Sequence, residues 1–133
     1  YLSKLINGLI NKDEKLRLGN INAYRDWGHA EDYVKSMHMI LNHDKPDDYV
    51  IATGKTHSVK DFLKEAFQLF DMDYNDYIMI DPAFYRPCEV EFLKGDSTKA
   101  KETLGWQPEY DFKKLVANMV YSDLEAFKNE KKL

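Results

Sequence analysis

The chain contains 133 residues, of which 44% are hydrophobic and 14% aromatic, and its formal net charge is -4. This composition excludes a disordered chain, and the length suits one compact domain rather than two, since each domain typically needs about 100 residues or more. The acidic balance argues against nucleic-acid binding, and no apolar run approaches the roughly 20 residues that cross a bilayer, so neither a nucleic acid nor a membrane is an expected partner.

The first half of the chain is predicted to form two helices and two short strands. Apolar spacing indicates one helix that ends near Asn11 and a second that follows Gly28 and stops before Pro46. The strands are predicted at 16–18 and 49–53. The second helix carries its apolar residues on one face, which is expected to be a core face: Ala30, Tyr33, Val34, Met37 and Leu41.

The second half continues the alternation of helices and strands. Ser58 and Asp61 resemble a capping box at the start of a third helix, with Asp in place of the usual Glu or Gln. The remaining predicted elements are a strand at 77–80, an edge strand at 89–93, a short helix capped by Asp96 or Ser97 and closed by Gly105, and a last helix from about Asp111. About five helices alternating with short strands indicate the α/β or the α+β class, of which α/β is the expected one.

Residue types that mark common sites are sparse. Cys88 is the single cysteine, which excludes an intrachain disulfide and is typical of a reducing compartment, so a cytoplasmic location is expected. The four histidines show no metal-ligand spacing, and no two of the six glycines form a G-x-G pair. Because the dinucleotide fingerprint and the P-loop are both absent, we predict neither a metal site nor a cofactor-binding residue in this chain.

Arg25 is the first candidate ligand for an anion. It lies between Tyr24 and Trp27 at a strand-to-helix junction, and a planar guanidinium flanked by apolar rings binds phosphate in two-point fashion with little competition from water. The spacing fits a surface ion pair with Asp26 or Asp32 equally well, so the sequence leaves both interpretations open.

Arg86 is the second candidate anion ligand. Pro87 biases Arg86 towards an extended conformation that presents its side chain, and Glu89 can accept two hydrogen bonds from a ribose diol. The alternative is an internal Arg86–Glu89 ion pair.

The spacing of Tyr110 and Lys114 is the Tyr-x-x-x-Lys pattern of short-chain dehydrogenase catalysis. A working pair needs both residues on one helix beside a cofactor ribose, and Tyr110 precedes the predicted helix start. No catalytic residue is therefore predicted.

Several of these motifs, in chain order, resemble one family. Segments 18–20, 25–34, 47–54 and 104–108, together with Tyr85-Arg86-Pro87, are similar to extended short-chain dehydrogenase/reductases. The R-D-W and L-G-W-x-P elements resemble nucleotide-sugar epimerases and dehydratases in general. The V-I-A-T-G and Y-R-P-x-E-V elements resemble the GDP-mannose 4,6-dehydratase family more narrowly.

The resemblance implies a two-domain, Rossmann-type enzyme in which residues 1–133 form the C-terminal substrate-binding domain. The NADP-binding N-terminal domain, with the catalytic residues, would then be absent from this chain, and a start at Tyr1 fits that expectation. The resemblance also implies conversion of GDP-mannose to GDP-4-keto-6-deoxymannose with tightly held NADP, in GDP-fucose biosynthesis, by a homo-oligomer that is a dimer or tetramer.

Positions carried over from the resemblance give five binding residues. Arg25 and Arg86 would hold the diphosphate, Glu89 would bind the ribose, and Asn20 would lie near the nucleotide. Lys4 matches half of a basic pair in the family's first helix, and a leucine follows it, so one charge is missing there.

Two other functions remain open. One is a different extended dehydrogenase/reductase, such as an epimerase or a GDP-4-keto-6-deoxymannose reductase, and the other is a non-catalytic nucleotide-sugar-binding module. If the second helix belongs against a missing sheet, we expect Tyr33, Val34 and Met37 to be exposed and the isolated chain to associate.

Overall fold

The computed structural model describes residues 14–130, so the predicted first helix and Lys4 lie outside the described residues. The elements of the described part are β1 (Leu16–Leu18), β2 (Tyr24–Arg25), α1 (Ala30–Leu41), β3 (His57–Ser58), α2 (Val59–Gln68), β4 (Ile78–Ile80), α3 (Thr98–Leu104) and α4 (Phe112–Glu130). Short 3₁₀ turns occupy Tyr74–Asp76 and Pro82–Phe84. The α/β class is confirmed, and four of the five expected helices fall within this part.

The strands form two separate pairs. β1 runs parallel to β4, with Leu16 opposite Ile78, and β2 runs antiparallel to β3, with Arg25 opposite His57. The predicted strand at 16–18 is confirmed, and the one predicted at 77–80 begins one residue later. Both pairs join segments that are distant in the sequence, which brings the loops that follow them together.

Two predicted strands are wrong. Residues 49–53 do not form a strand, because the amides of Thr53 and Gly54 donate to the side chain of Asp26 and not to a neighbouring backbone. Residues 89–93 contribute a single bridge, in which Phe92 pairs with Tyr24. An apolar run favours extended backbone, but a strand also needs a neighbouring strand with which to pair.

Helix α2 begins with the predicted capping box. The N–H of Asp61 donates to Ser58 Oγ at 3.1 Å, and the N–H of Ser58 donates to Asp61 Oδ2 at 2.8 Å. One face of α2 packs Leu63 and Phe67 against Ile78 of β4. The opposite cluster joins α2 to α4 through Ala66, Val116, Val120 and Leu124. Helix α2 is therefore the common wall of two hydrophobic clusters.

Helix α1 contradicts the expectation that its apolar face belongs to the core. Its buried side chains are Asp32 and Ser36, whereas Val34, Met37 and Leu41 are 61%, 59% and 84% exposed. The expectation that this helix exposes apolar surface is thus confirmed for Val34 and Met37. The third residue named there, Tyr33, is half-buried.

Polar contacts attach α1 to the segment before α4. The indole N–H of Trp106 donates to the carbonyl oxygen of Asp32 at 2.8 Å. The N–H groups of Glu109 and Tyr110 both donate to Asp32 Oδ2 at 3.1 Å. A buried carboxylate with two backbone donors orients the helix, and this explains why a polar side faces inwards.

Candidate functional site

Four of the five predicted binding residues line one cleft of about 270 Å³. They are Asn20, Arg25, Arg86 and Glu89. The cleft also has apolar walls, for which the sequence predicted no site role: Leu18, Ile21, Ala23, Val59 and Phe84. Residues from distant parts of the chain thus meet at a single concave surface.

The cleft is built where β1 and β4 end side by side. Because the two strands are parallel, the loops that follow them leave from the same edge, and the N–H of Asp81 bonds to the carbonyl oxygen of Leu18 at 2.8 Å. The later part of the second loop is tied to β2, since Tyr24 bonds through its backbone to Glu91 at 2.7 Å and to Leu93 at 3.2 Å. These bonds position the Arg86–Glu89 segment opposite Arg25.

Gly19 is needed for the close approach of the two loops. A Cβ atom at this position would clash with the backbone carbonyl group of Phe84. Any side chain at residue 19 would therefore displace the Pro82–Phe84 turn and reshape the cleft.

Arg25 is already strongly hydrogen-bonded. Its Nη1 donates to the carbonyl oxygens of Tyr24 and Val90, each at 2.7 Å, and its Nη2 donates to Glu89 Oε1 at 3.2 Å. The Arg25 and Glu89 side chains are only 23% and 20% exposed. A guanidinium has five N–H donors, so the Nε–H and one Nη2–H remain for a ligand.

The ion pairs of Arg25 with Asp26 or Asp32, which were the alternative to an anion-binding role for Arg25, are not formed. Asp26 accepts the N–H groups of Thr53 and Gly54 at 2.9 Å and of Gly95 at 3.1 Å, and it also accepts the Thr53 hydroxyl. Asp26 thus clamps two loops and is not the counter-ion of Arg25. Asp32, the other candidate, is buried beneath the segment before α4.

Arg86 differs from Arg25 in its exposure and in its contacts. It is exposed, and among residues 14–130 it makes no ion pair, so the Arg86–Glu89 alternative is wrong because Glu89 pairs with Arg25. The charges of Arg25 and Glu89 offset each other, so within the described part of the chain Arg86 lines the cleft as a positive charge without a counter-ion. An anion with several acceptor oxygens suits this arrangement.

A second cavity, of about 530 Å³, lies between the first turns of α2 and α4. Its charged lining mixes both signs, namely Lys55, Lys64, Lys113, Asp61, Glu65, Glu109 and Asp111. Such a mixture favours no charged ligand. Within the described residues no group of three potential ligands could hold a metal, and no described helix is both long and apolar enough to cross a membrane.

Comparison with known proteins identifies the family. Residues 3–119 match the GDP-mannose 4,6 dehydratase family. The chain belongs to this family.

The curated relatives of the chain carry the same family name. GDP-mannose 4,6 dehydratase 1 of Arabidopsis thaliana is 53% identical over 119 residues, a match that covers 90% of this chain and 33% of the relative. GDP-mannose 4,6 dehydratase of Homo sapiens is 41% identical over 132 residues, covering 86% and 36%. The chain thus spans about a third of the length of these GDP-mannose 4,6-dehydratases.

Solved structures show the same fold at low sequence identity. RMD from Pseudomonas aeruginosa, solved with NADPH, has a TM-score of 0.80 at 20% identity and covers 94% of this chain and 40% of its own. UDP-glucose 4-epimerase from Bifidobacterium longum, solved with NAD+ and UDP, has a TM-score of 0.72 at 21% identity, covering 90% and 37%. The chain therefore has the fold of the corresponding part of an extended dehydrogenase/reductase.

The described cleft lacks the glycine-rich turn that holds the pyrophosphate of a dinucleotide cofactor. Its only glycine, Gly19, is used for close approach to Phe84, and no glycine-rich turn precedes a helix anywhere in the sequence. We assign no cofactor chemistry to these residues.

Proposed function

We propose that residues 1–133 are the nucleotide-sugar-binding domain of a GDP-mannose 4,6-dehydratase, and that the cleft holds the GDP part of GDP-mannose. The observation that carries the proposal is the convergence of Asn20, Arg25, Arg86 and Glu89 on one cleft. These residues come from two segments more than 60 residues apart, for example Arg25 and Glu89, which are 64 apart. Family membership supports GDP-mannose as the proposed nucleotide sugar.

The cleft residues take different parts of the ligand. Arg86, exposed and without an ion pair among the described residues, binds the diphosphate. Arg25 adds its two remaining N–H donors, while its other bonds hold the guanidinium in place. Glu89 accepts hydrogen bonds from the ribose hydroxyls through the lone pairs that Arg25 leaves free, and Asn20 lies near the base. Lys4 is a further proposed contact.

The rest of the proposal concerns the complete enzyme. In it NADP is held by a separate N-terminal domain, and GDP-mannose is converted to GDP-4-keto-6-deoxymannose for GDP-fucose biosynthesis. We place this enzyme in the cytoplasm as a homo-oligomer. The residues described here bind and orient the substrate, and no bond-making step is assigned to them.

Calorimetric titration of the 133-residue chain with GDP, UDP and dTDP tests the proposal. Preference for GDP, and binding of GDP-mannose at similar affinity, is the expected result. Preference for UDP or dTDP would instead favour an epimerase or another dehydratase, and absence of binding to any nucleotide would contradict the assignment of the cleft.

Activity of the complete enzyme distinguishes catalysis from binding alone. Joined to the remaining two-thirds that its relatives possess, the chain should support formation of the 4-keto-6-deoxy product from GDP-mannose with NADP. Tight GDP-mannose binding without turnover in that context would favour a non-catalytic binding module.

A further inference from the structure

We propose that Asp26 is a positioning residue for diphosphate binding: it sets the affinity of the cleft through the segment that follows Arg86, and it does not contact the ligand itself. The inference rests on the proposed function and deepens it, because it names a residue outside the cleft that controls how tightly the cleft binds an anion. Asp26 follows Arg25 directly, yet it is not among the residues that line the cleft.

The carboxylate of Asp26 is fully used within the protein. Its Oδ1 accepts the N–H and the hydroxyl group of Thr53, and its Oδ2 accepts the N–H groups of Gly54 at 2.9 Å and Gly95 at 3.1 Å. A carboxylate offers about four acceptor sites, so these bonds leave none for a ligand. Asp26 can therefore affect binding only through the segments that it holds.

One of these segments, 89–95, extends from the cleft to Asp26. Three consecutive residues fasten it to the strand β2 and the turn after it, namely Tyr24, Arg25 and Asp26. Tyr24 bonds through its backbone to the middle of the segment, and Arg25 bonds through its side chain to the first two residues. Asp26 holds the last residue, Gly95, which is 69 positions away in the sequence. Without this bond, the segment is free to shift along β2 at the end that the cleft depends on.

Gly95 fits closely at the position where Asp26 holds it. A Cβ atom at this residue would clash with the Cβ atom of Ala52. A methyl group added at residue 95 would therefore push the segment away from Ala52 while the Asp26 carboxylate stays unaltered. The position of the segment and the charge of Asp26 can thus be changed separately.

The direction of the change in affinity separates position from charge. Asp26 is negative and lies next to Arg25, so its charge alone repels a bound diphosphate, and neutralising that charge would strengthen binding. Loss of position predicts the opposite. In Asp26→Asn the NH₂ group faces backbone N–H donors whichever way the amide is turned, so at least one segment is released.

Calorimetric titration of the 133-residue chain with GDP and with inorganic pyrophosphate tests the inference. Asp26→Asn should lower both affinities about tenfold, an effect of the size usual for residues in one hydrogen-bond network. Asp32→Asn is the matched control, because it removes the same charge from a buried carboxylate that also accepts backbone N–H groups, those of Glu109 and Tyr110 at 3.1 Å. Asp32→Asn should lower the melting temperature and leave both affinities unchanged.

Gly95→Ala provides a second measurement, in which Asp26 itself is not altered. The clash with Ala52 should weaken the binding of GDP and of pyrophosphate, as Asp26→Asn does. Adding Ala52→Gly removes the clashing atom and should restore both affinities to those of the Ala52→Gly single variant. A general loss of stability would not be reversed in this way, since a second substitution in the buried Ala52 position lowers stability further.

The outcomes separate this inference from the proposed function. Binding of neither GDP nor pyrophosphate to the unaltered chain overturns the proposed function and this inference with it. GDP binding that is unchanged or stronger in folded Asp26→Asn, or that weakens equally in Asp32→Asn, overturns the role of Asp26 alone. If Asp26→Asn does not fold, the second measurement decides: unchanged affinity in Gly95→Ala, or no recovery with Ala52→Gly, overturns the role of Asp26.

Discussion

Arg25 and Arg86 carry the same charge in the same cleft, but their guanidinium groups are engaged differently. Arg25 bridges its own strand and the Glu89–Val90 segment, so it is part of the framework of the cleft as well as a proposed ligand donor. Arg86 has no such structural bonds within residues 14–130. The two arginines should therefore fail in different ways when they are removed.

The first prediction separates the effect of each arginine on ligand affinity from its effect on thermal stability. Arg86→Ala should lower the affinity for GDP-mannose about tenfold or more, because a charge-assisted hydrogen bond is worth roughly 1.5–3 kcal/mol, and should leave the melting temperature unchanged. Arg25→Ala should lower both, since it strips the bonds to Val90 and Glu89. Calorimetry and thermal unfolding measure the two effects.

Arg17 provides the control for loss of a positive charge. It is an exposed arginine that pairs with Asp81 at 3.5 Å and does not line the cleft. Arg17→Ala should not change GDP-mannose affinity. If Arg86→Ala also binds normally while folded, the diphosphate role of Arg86 is wrong.

At the scale of elements, α2 depends on a cap that can be titrated. Desolvation raises the pKa of the Asp61 carboxyl, but hydrogen bonds from the backbone and side chain of Ser58 outweigh it and hold that pKa below its usual value. A carboxyl whose pKa is lowered by folding stabilises the protein above its unfolded pKa of about 3.9, and this contribution is lost as the pH falls through the folded value.

Substitution of the cap is the second prediction. Ser58→Ala should cost about 1 kcal/mol of the free energy of unfolding, the usual loss for a helix cap. Asp61→Asn should destabilise the chain at pH 7, with the difference from the unaltered chain shrinking as the pH falls below the unfolded pKa of about 3.9. Urea unfolding across this pH range measures it, and a difference independent of pH would contradict the titration.

The sequence correctly predicted the helix ends that are determined by residues close together in the chain. The Ser58–Asp61 box and the left-handed Gly105, with φ of 70°, mark helix ends in both sequence and structure. The strand expected at 49–53 was wrong, since pairing depends on a neighbour elsewhere in the chain. The burial of Asp32 in α1 also depends on a distant segment, through Trp106.

For the cleft, too, the sequence predicted some features and not those that depend on contacts between distant residues. Resemblance predicted Asn20, Arg25, Arg86 and Glu89 as one group, and the structure brings these side chains to one surface. The pairing of Glu89 with Arg25 was not predicted, because the two residues are 64 positions apart and nearer partners were available to each. The contribution of Phe84 to the cleft lining was not predicted.

At the scale of the whole molecule, α1 exposes an apolar face. Val34, Met37 and Leu41 lie on the outside of a helix whose inner side is polar. Exposed apolar side chains on one face of a helix favour contact with other protein.

Self-association is the third prediction. The 133-residue chain should associate as its concentration rises, and Val34→Gln with Met37→Gln should shift it towards monomer, because both apolar side chains are removed from the contact. Sedimentation velocity measures the distribution. Met119→Gln, at a 47% exposed site on α4, is the control, and a chain that is monomeric at every concentration would contradict the prediction.

The long sequence separation across the cleft has a kinetic consequence. The Arg25–Glu89 contact and the parallel β1–β4 pair both close large loops, which costs chain entropy before any contact compensates for it and slows folding relative to a helical bundle. A chain with only its local helices formed has no cleft. A cleft ligand therefore binds the native state alone, and its concentration sets how far the folding equilibrium moves.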